Sequence, residues 1–508
     1  MKTNKDEAQH KIAALIKALR EHQGMTQHDF AKALRTSQSA VARMENGLQN
    51  FSTKQLAKIG SVLKHNIVSL SSSNDDFEIE GGRKLKGSVE TNTSKNGALG
   101  LFCAALVNKS PTILHGIPRI EELNRMIEIF ISIGVKVEWI KDHSVKITPP
   151  KKFNMEALNK ASAGRIRSII MVIGSIIHTE KHFTIPHAGG CKMGGRTIAA
   201  HRFGLEKLGI KIKTREDFYE IDVSTLKPAD ITLYEASDTA AENVLIAASR
   251  IPGKTIIRFA PPNYQVQEVC FFLEKLGVTI EGIGTTTLIV HGVKDIDSAI
   301  EYTNSEDPIE SMMFLSAAIV TGSKLTVTRA PIDFLRLELL KLEKMGLKYS
   351  VSKEYFSHNG RTVLVDITVL PSKLKAPVDK IHSQPYPGIN VDNLPFFVPI
   401  AIMSEGTTLI HDWMWENRAI YFTELNRLGA AITLADPHRV LIQGRSELKA
   451  AQIVCPPALR PSMIILVAML AAEGTSVLRN VYAIKRGYEN VAERLNAIGA
   501  NIKIIQGI

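Results

Sequence analysis

The sequence predicts an α/β protein of two globules, each built from three copies of one unit, behind a small all-α module. Three observations carry this. A phrase of helix end, glycine and alternating strand recurs six times, at Ile133-Gly-Val-Lys-Val137, Leu208-Gly-Ile-Lys-Ile212, Leu276-Gly-Val-Thr-Ile280, Met345-Gly-Leu-Lys-Tyr349, Leu428-Gly-Ala-Ala-Ile432 and Ile498-Gly-Ala-Asn-Ile502. Its glycines are spaced by 75, 68, 69, 83 and 70 residues, and a period of that kind marks a repeat architecture. Each unit also holds one segment apolar nearly all round, which a helix carries only when buried. Residues 1–65 show no such phrase, only short helical periodicities.

In 1–65, Ile12, Leu15, Ile16 and Leu19 recur at helical spacing before Gly24 breaks the pattern. Met25 to Leu34 reads as a second helix, with Thr26 as N-cap and Asp29 three residues on, close to a capping box. Arg35-Thr-Ser37 is a turn, Gln38 to Asn46 a third helix closed by Gly47, and Leu56, Ile59 and Leu63 mark a fourth. Residues 66–77, rich in Ser, Asn and Asp and without periodicity, read as a flexible linker. From 78 on, buried helices are expected near Gly97–Val107, Ile166–Ile177, Glu242–Ile251, Pro308–Val320, Leu394–Met403 and Pro461–Ala472. Each is followed by a strand: "PTILHGI", "HFTIP", "KTIIRFA", "KLTVTRA", "TTLIHDW" and "TSVLRNV". Three units with one helix inside close a globule, and six make two globules with a cleft between them.

Composition excludes several classes. At 44% hydrophobic and 22% charged, the 508 residues have an ordinary globular balance. The N-terminus is polar and charged, which predicts no signal peptide and a cytoplasmic location. The most apolar run, Met463 to Ala472, is too short to span a membrane. Four cysteines without regular spacing make no disulfide framework, and no Cys/His cluster has zinc spacing, so no metal is expected. Residues 1–65 carry eleven Lys/Arg against five Asp/Glu, a net +6 out of the chain's +11. That asymmetry points to a polyanion partner.

The stretch His187 to Arg196 holds four glycines, Cys191 and the cations Lys192 and Arg196. It reads either as a Gly-rich turn with an incidental cysteine or as a thiol kept reactive by adjacent cations. Cations also stand beside the starts of apolar helices or the ends of strands: Lys95, Arg167, Arg196, Arg418, Arg460 and Arg486. Lys95 and Arg460 lie where helix N-termini favour anions. Asp392 reads as a helix N-cap before Leu394-Pro395, as a functional acid, or as both.

Two resemblances follow. The segment "GMTQHDFAKALRTSQSAVARMENG" resembles the phage-repressor-like helix-turn-helix family. This implies a third helix in the major groove of double-stranded DNA, with Gln38, Ser39 and Arg43 facing bases or phosphates and Gln27 at the backbone. An operator-reading form is expected to be a homodimer; the other reading of this module is a protein-interaction or dimerisation cap. Over 78–508 the marks "SKNGAL" (94–99), "GRIRS" (164–168), "GGCKMGGR" (189–196), "VDNLPF" (391–396), "WENR" (415–418), "LRPS" (459–462) and "KRGYENVAERL" (485–495) resemble the enolpyruvyl transferases, in the branch that acts on UDP-N-acetylglucosamine.

The resemblance implies an inside-out α/β barrel of two lobes, each of three βαβαββ units. Lobe I would take 78–94 with 303–508, lobe II 95–302, and the crossings would lie near Glu90–Ser94 and Tyr302–Asp307. It implies transfer of the enolpyruvyl group of phosphoenolpyruvate to the 3-hydroxyl of UDP-N-acetylglucosamine, with release of phosphate, for peptidoglycan synthesis and without metal or cofactor. Lys95, Arg196 and Arg486 would hold the phosphate, and Arg460 and Arg486 the carboxylate. Asp392 would be the general base, and Cys191 the general acid, alkylated by the epoxide fosfomycin. Asn96 would bind the sugar hydroxyl, and Arg167, His201, Ser237 and Arg418 would complete the substrate contacts. The nucleotide half departs from the family pattern at Thr197, Ala199, Asp238, Asn263, Gln265 and Ala458. Two alternatives therefore stand beside this: a transferase for another nucleotide sugar, and a regulator using the fold as a ligand sensor.

Overall fold

The computed structural model describes residues 75–189 and 197–506 continuously, together with 25–47, 51–63, Ala13, Ile16, Lys17, 19–21 and Gln49. It divides into two compact units, 1–74 and 75–508.

In the first unit three helices follow the sequence pattern: α1 (Gln27–Leu34), α2 (Gln38–Glu45) and α3 (Thr53–Val62). The capping box at α1 forms: Thr26 Oγ1 accepts from Asp29 N at 3.1 Å, and Asp29 Oδ2 accepts from Thr26 N at 3.2 Å. This satisfies N–H groups that a helix start leaves without intrahelical partners. Ile16, Phe30, Leu34, Val41, Met44, Ile59 and Leu63 make the core. Of the first helical pattern, Ile12 and Leu15 lie outside the described residues. Arg20 and Glu45 are buried together, Nε to Oε1 at 2.5 Å.

The second unit carries six small sheets, four of four strands, one of five and one of three. All six repeat glycines take positive φ, between 92 and 108°, so each helix is stopped by the residue type that enters this conformation without a Cβ penalty. The sequence places a linker through 77, but Asp75–Glu80 is a strand. It lies antiparallel between Thr475–Arg479 and Ile502–Gln506. Phe77, 2% exposed, explains the difference: its side chain belongs to the core, and its acidic neighbours face outward or toward turn donors. The rest of that linker, 66–74, lies outside the described residues.

Two hydrophobic cores result. One gathers residues from 98 to 302; the other joins Phe77–Val89 to Ile309–Ile502 and also takes in Tyr264. The chain passes between them twice, and the passes bind each other. Ser94 N donates to Ser305 O at 2.7 Å and Asp307 N to Asn92 O at 2.8 Å. Asn304 Nδ2 donates to Ser94 O at 2.8 Å.

The inner helices are α4 (Lys95–Ala105), α5 (Asp238–Ser249), α7 (Pro308–Val320), α8 (Phe397–Met403) and α9 (Leu459–Ala471), and the amphipathic α6 (Tyr264–Lys275) packs on α4. All thirteen residues of α7 are buried. The continuous helix expected at Ile166–Ile177 is instead a 3-10 segment, Arg167–Val172, leading into Ile173–Ile176. Asn243 supplies the reason. It accepts from Gly174 N at 2.8 Å and donates to Ile170 O at 2.9 Å, taking groups a regular helix would pair internally. Leu394–Phe396 is likewise 3-10 before α8, and Pro395 and Pro399 remove donors there.

Replacing Phe314, fully buried in α7, by alanine is expected to lower the unfolding free energy of 75–508 by ~3–5 kcal/mol. Urea unfolding followed by the fluorescence of Trp139, Trp413 and Trp415, all in this unit, measures it.

Candidate active site

Two inner helices begin with cations. Lys95 opens α4, where Ser94 Oγ caps Gly97 N at 3.1 Å. Its Nζ meets Glu122 Oε2 at 2.9 Å. Burial pushes the Glu122 carboxyl up, but Lys95, and behind it Arg486 and Arg460, outweigh burial and hold it below its ordinary value. Glu122 is therefore an anion in a cationic pocket. Asn96 Nδ2 donates to Tyr264 Oη at 2.9 Å, which leaves the amide oxygen of Asn96 for another partner.

Arg460 is the second residue of α9 and 6% exposed. It donates to Tyr488 Oη at 2.7 Å and to Asp392 Oδ2 at 3.1 Å. Arg418 lies deeper, at 1% exposure. It forks onto Asp412, at 2.5 and 2.8 Å, and donates to Val391 O at 2.6 Å. Its Nη1 stands 3.7 Å from Asp392 Oδ1. Asp392 thus faces two guanidiniums, one at each carboxylate oxygen. Burial raises its carboxyl, yet Arg460, Arg418 and Lys95 prevail and leave it below the usual carboxylate range. It is not a helix N-cap: Asn393 occupies that position and makes no side-chain cap bond. Arg486, half-buried at the end of Tyr482–Lys485, acts on the same pocket through its charge on Glu122.

The other half of the site draws on the core that spans residues 98 to 302. Arg167 donates to Thr197 O at 2.8 Å. His201 is buried; Asn243 Nδ2 donates to its Nδ1 at 3.1 Å, so Nε2 carries the proton toward Thr239 Oγ1 at 3.3 Å. Burial, then Arg167, push its imidazole down to about 3, and the ring is neutral. Ser237 precedes α5 without capping it. Cys191 and Arg196 lie outside the described residues. His182, Glu220 and Asp222 come close enough to share a cation, but each already meets a charged neighbour, Asp222, Arg215 and Lys213 respectively.

Four participants carry no sequence signal of their own. Glu122 reads as an ordinary acid in a first helical turn, and Tyr488 and Tyr264 as core aromatics. Asp412 is an acid closing an apolar strand six residues before Arg418, a spacing that hints at a pair but does not require one. In the first unit Gln38, Ser39 and Arg43 are exposed on α2. Gln27 is half-buried and donates to Glu45 Oε2 at 2.9 Å, so its amide is held within the unit.

A family model described as EPSP synthase (3-phosphoshikimate 1-carboxyvinyltransferase) matches residues 79–495, and a helix-turn-helix model matches 16–64. The chain is 35% identical over 428 residues to the UDP-N-acetylglucosamine 1-carboxyvinyltransferase of Bradyrhizobium diazoefficiens, covering 84% of this chain and 97% of that one. It is 34% identical over 437 residues to the protein of the same name in Treponema denticola, covering 84% and 99%. The fold is shared with the enolpyruvyl transferase NikO from Streptomyces tendae, with a TM-score of 0.74 at 21% identity over 86% of this chain and all of that one.

Arg418→Leu leaves Asp412, 0% exposed, as an unpaired buried charge and is expected to cost ~3–5 kcal/mol. Adding Asp412→Leu should restore a large part of that stability. Urea denaturation of the single and double variants measures both.

Proposed function

The chain belongs to the EPSP synthase family of enolpyruvyl (1-carboxyvinyl) transferases, and from this premise we propose that 75–508 transfers the enolpyruvyl group of phosphoenolpyruvate to the 3-hydroxyl of UDP-N-acetylglucosamine. The observation that carries this reading is Asp392 held between Arg460 and Arg418, beside Lys95. It sets an ionised carboxylate against cations suited to a substrate with phosphate and carboxylate close together.

In the proposed reaction Lys95, Arg196 and Arg486 hold the phosphate. Arg460 and Arg486 hold the carboxylate, helped by the N-termini of α4 and α9. Asp392 takes the proton of the acceptor hydroxyl as its oxygen bonds to C2 of phosphoenolpyruvate, and Cys191 gives a proton to C3. The tetrahedral adduct then loses phosphate from C2 and a proton from C3, which restores the double bond. Arg460 is shared: a substrate carboxylate competing for it draws a cation away from Asp392 and makes Asp392 the stronger base. Arg418, paired with Asp412, holds the Asp392 loop through Val391. Asn96 presents its amide oxygen to the sugar, while Arg167, His201 and Ser237 line the nucleotide side.

Asp238, placed in that second half, favours a second reading in which the acceptor is a different nucleotide sugar. Residues 1–65 would bind double-stranded DNA through the exposed Gln38, Ser39 and Arg43 of α2, as a homodimer. No helix among the described residues is long and apolar enough to cross a membrane, and a cytoplasmic location fits the substrates.

Phosphate release from phosphoenolpyruvate should require UDP-N-acetylglucosamine; release with no acceptor, or none with it, rejects the reading. Asp392→Ala should abolish turnover while ligand binding survives, and normal rates would remove it from the mechanism. Cys191→Ser should lose both turnover and labelling by fosfomycin. For the first unit, Arg43→Ala should weaken DNA binding and lower the salt dependence by about one counterion; an unchanged slope in a filter or fluorescence assay rejects the groove-facing assignment.

A further inference from the structure

Tyr264 opens α6, and the other buried apolar residues of that helix, Val266, Val269, Cys270, Phe272 and Leu273, pack in the core of residues 98 to 302. Tyr264 instead turns into the other core, at 7% exposure. Its ring meets Phe334 edge-on, with centroids 5.7 Å apart and planes at 70°, a favoured aromatic geometry. Phe334 meets Tyr386 in turn at 5.2 Å, and Tyr386 Oη donates to Asp333 O at 3.1 Å. At the other end of this aromatic chain, Tyr264 Oη accepts from Asn96 Nδ2 at 2.9 Å.

The chain of contacts links two residues that the acceptor sugar has to meet. Asn96 stands on α4, whose apolar residues belong to one core, and Asp392 lies six residues beyond Tyr386 in the other. The helix Arg336–Lys344, which follows Phe334, ties down the backbone around Asp392: Glu338 Oε1 accepts from Asn390 N at 3.1 Å and from Asn393 Nδ2 at 2.9 Å. Tyr264 therefore touches, through Phe334, the support of the Asp392 loop, and touches Asn96 directly. Burial above all, then the charges of Asp307 and Asp392, keep its phenol protonated, and those charges put it beside the same pocket. An amide that spends an N–H on the phenol oxygen keeps its own oxygen turned the other way.

We infer that Tyr264 is a positioning residue, which sets the Asn96 amide of one core against the Asp392 carboxylate of the other so that both meet the acceptor sugar. This rests on the reading of 75–508 as an enolpyruvyl transferase. The Tyr264 hydroxyl touches neither substrate in this assignment, and its effect passes through Asn96. Two cations proposed for phosphoenolpyruvate are anchored elsewhere, Lys95 on Glu122 and Arg460 on Tyr488 and Asp392. Loss of the hydroxyl therefore falls on the acceptor and spares phosphoenolpyruvate.

The test is steady-state kinetics of the full chain and of Tyr264→Phe, which keeps the ring against Phe334 and drops the hydroxyl. KM for UDP-N-acetylglucosamine should rise about five- to tenfold, the loss of one hydrogen bond, while KM for phosphoenolpyruvate stays within about twofold. Calorimetric titration of UDP-N-acetylglucosamine then closes a double-mutant cycle. Asn96→Ala should weaken binding, and Tyr264→Phe added to it should change Kd by less than about twofold, because the group it acts through is gone. Unchanged KM values in Tyr264→Phe overturn the inference and keep the transferase. A merely structural role predicts that both KM values rise together, or that the two substitutions add in full, and either result also overturns it. No binding and no turnover in the native protein sinks the transferase reading and the inference together.

Discussion

A guanidinium does not shed its proton at any ordinary pH, so Arg418, buried to 1% exposure, has to be paired where it lies. Asp412 meets it with both oxygens, and neither partner has solvent to fall back on. The rest of the site is hung on that pair. Arg418 holds the backbone at Val391 and stands beside Asp392, so the acid proposed as base is oriented by a cation that cannot turn elsewhere. Arg460, anchored by Tyr488, grips the same carboxylate from the α9 side. A buried ion pair of this kind is weak evidence for stability, and its worth here lies in fixing the position of Asp392.

The helix ends reinforce this. A cation at a helix N-terminus opposes the helix dipole, yet α4 and α9 both begin with one. Glu122 and Asp392 offset the cost, and a bound dianion would offset it further. At α5 the arrangement is reversed, with Asp238 at an end that would welcome a ligand anion. The site is thus cationic where α4 and α9 begin and carries an acid where α5 begins. The crossings at 92–94 and 304–307, hydrogen-bonded to each other, join the two cores that carry these helices.

The first unit is a separate small problem of burial. Its core rests on residues such as Phe30, Val41 and Ile59, and Glu45 serves two partners, Arg20 and Gln27. Gln27 is held inside, while Gln38, Ser39 and Arg43 of α2, the residues proposed to meet DNA, stay exposed.

Periodicity was enough to reveal six repeats, their buried helices and their glycine stops, because each depends on residues within a few positions of one another. The helix-turn-helix was legible for the same reason: Thr26 and Asp29 cap a helix three residues apart. The cations and Asp392 stood out as types in a motif, and beyond the spacing of Asp412 and Arg418 nothing indicated who pairs with whom. Tertiary structure alone decided the pairings of Lys95 with Glu122, Arg418 with Asp412, Arg460 with Tyr488 and Asn96 with Tyr264. It also broke the helix at 167–176 through Asn243, and turned Asp75–Phe77 from an apparent linker into a strand completed by the chain's last residues. Apart from Arg418 and Asp412, six residues apart, those outcomes depend on groups tens to hundreds of residues apart. Local propensity carries no information about such a partner, whereas burial makes a partner obligatory once the cores have closed.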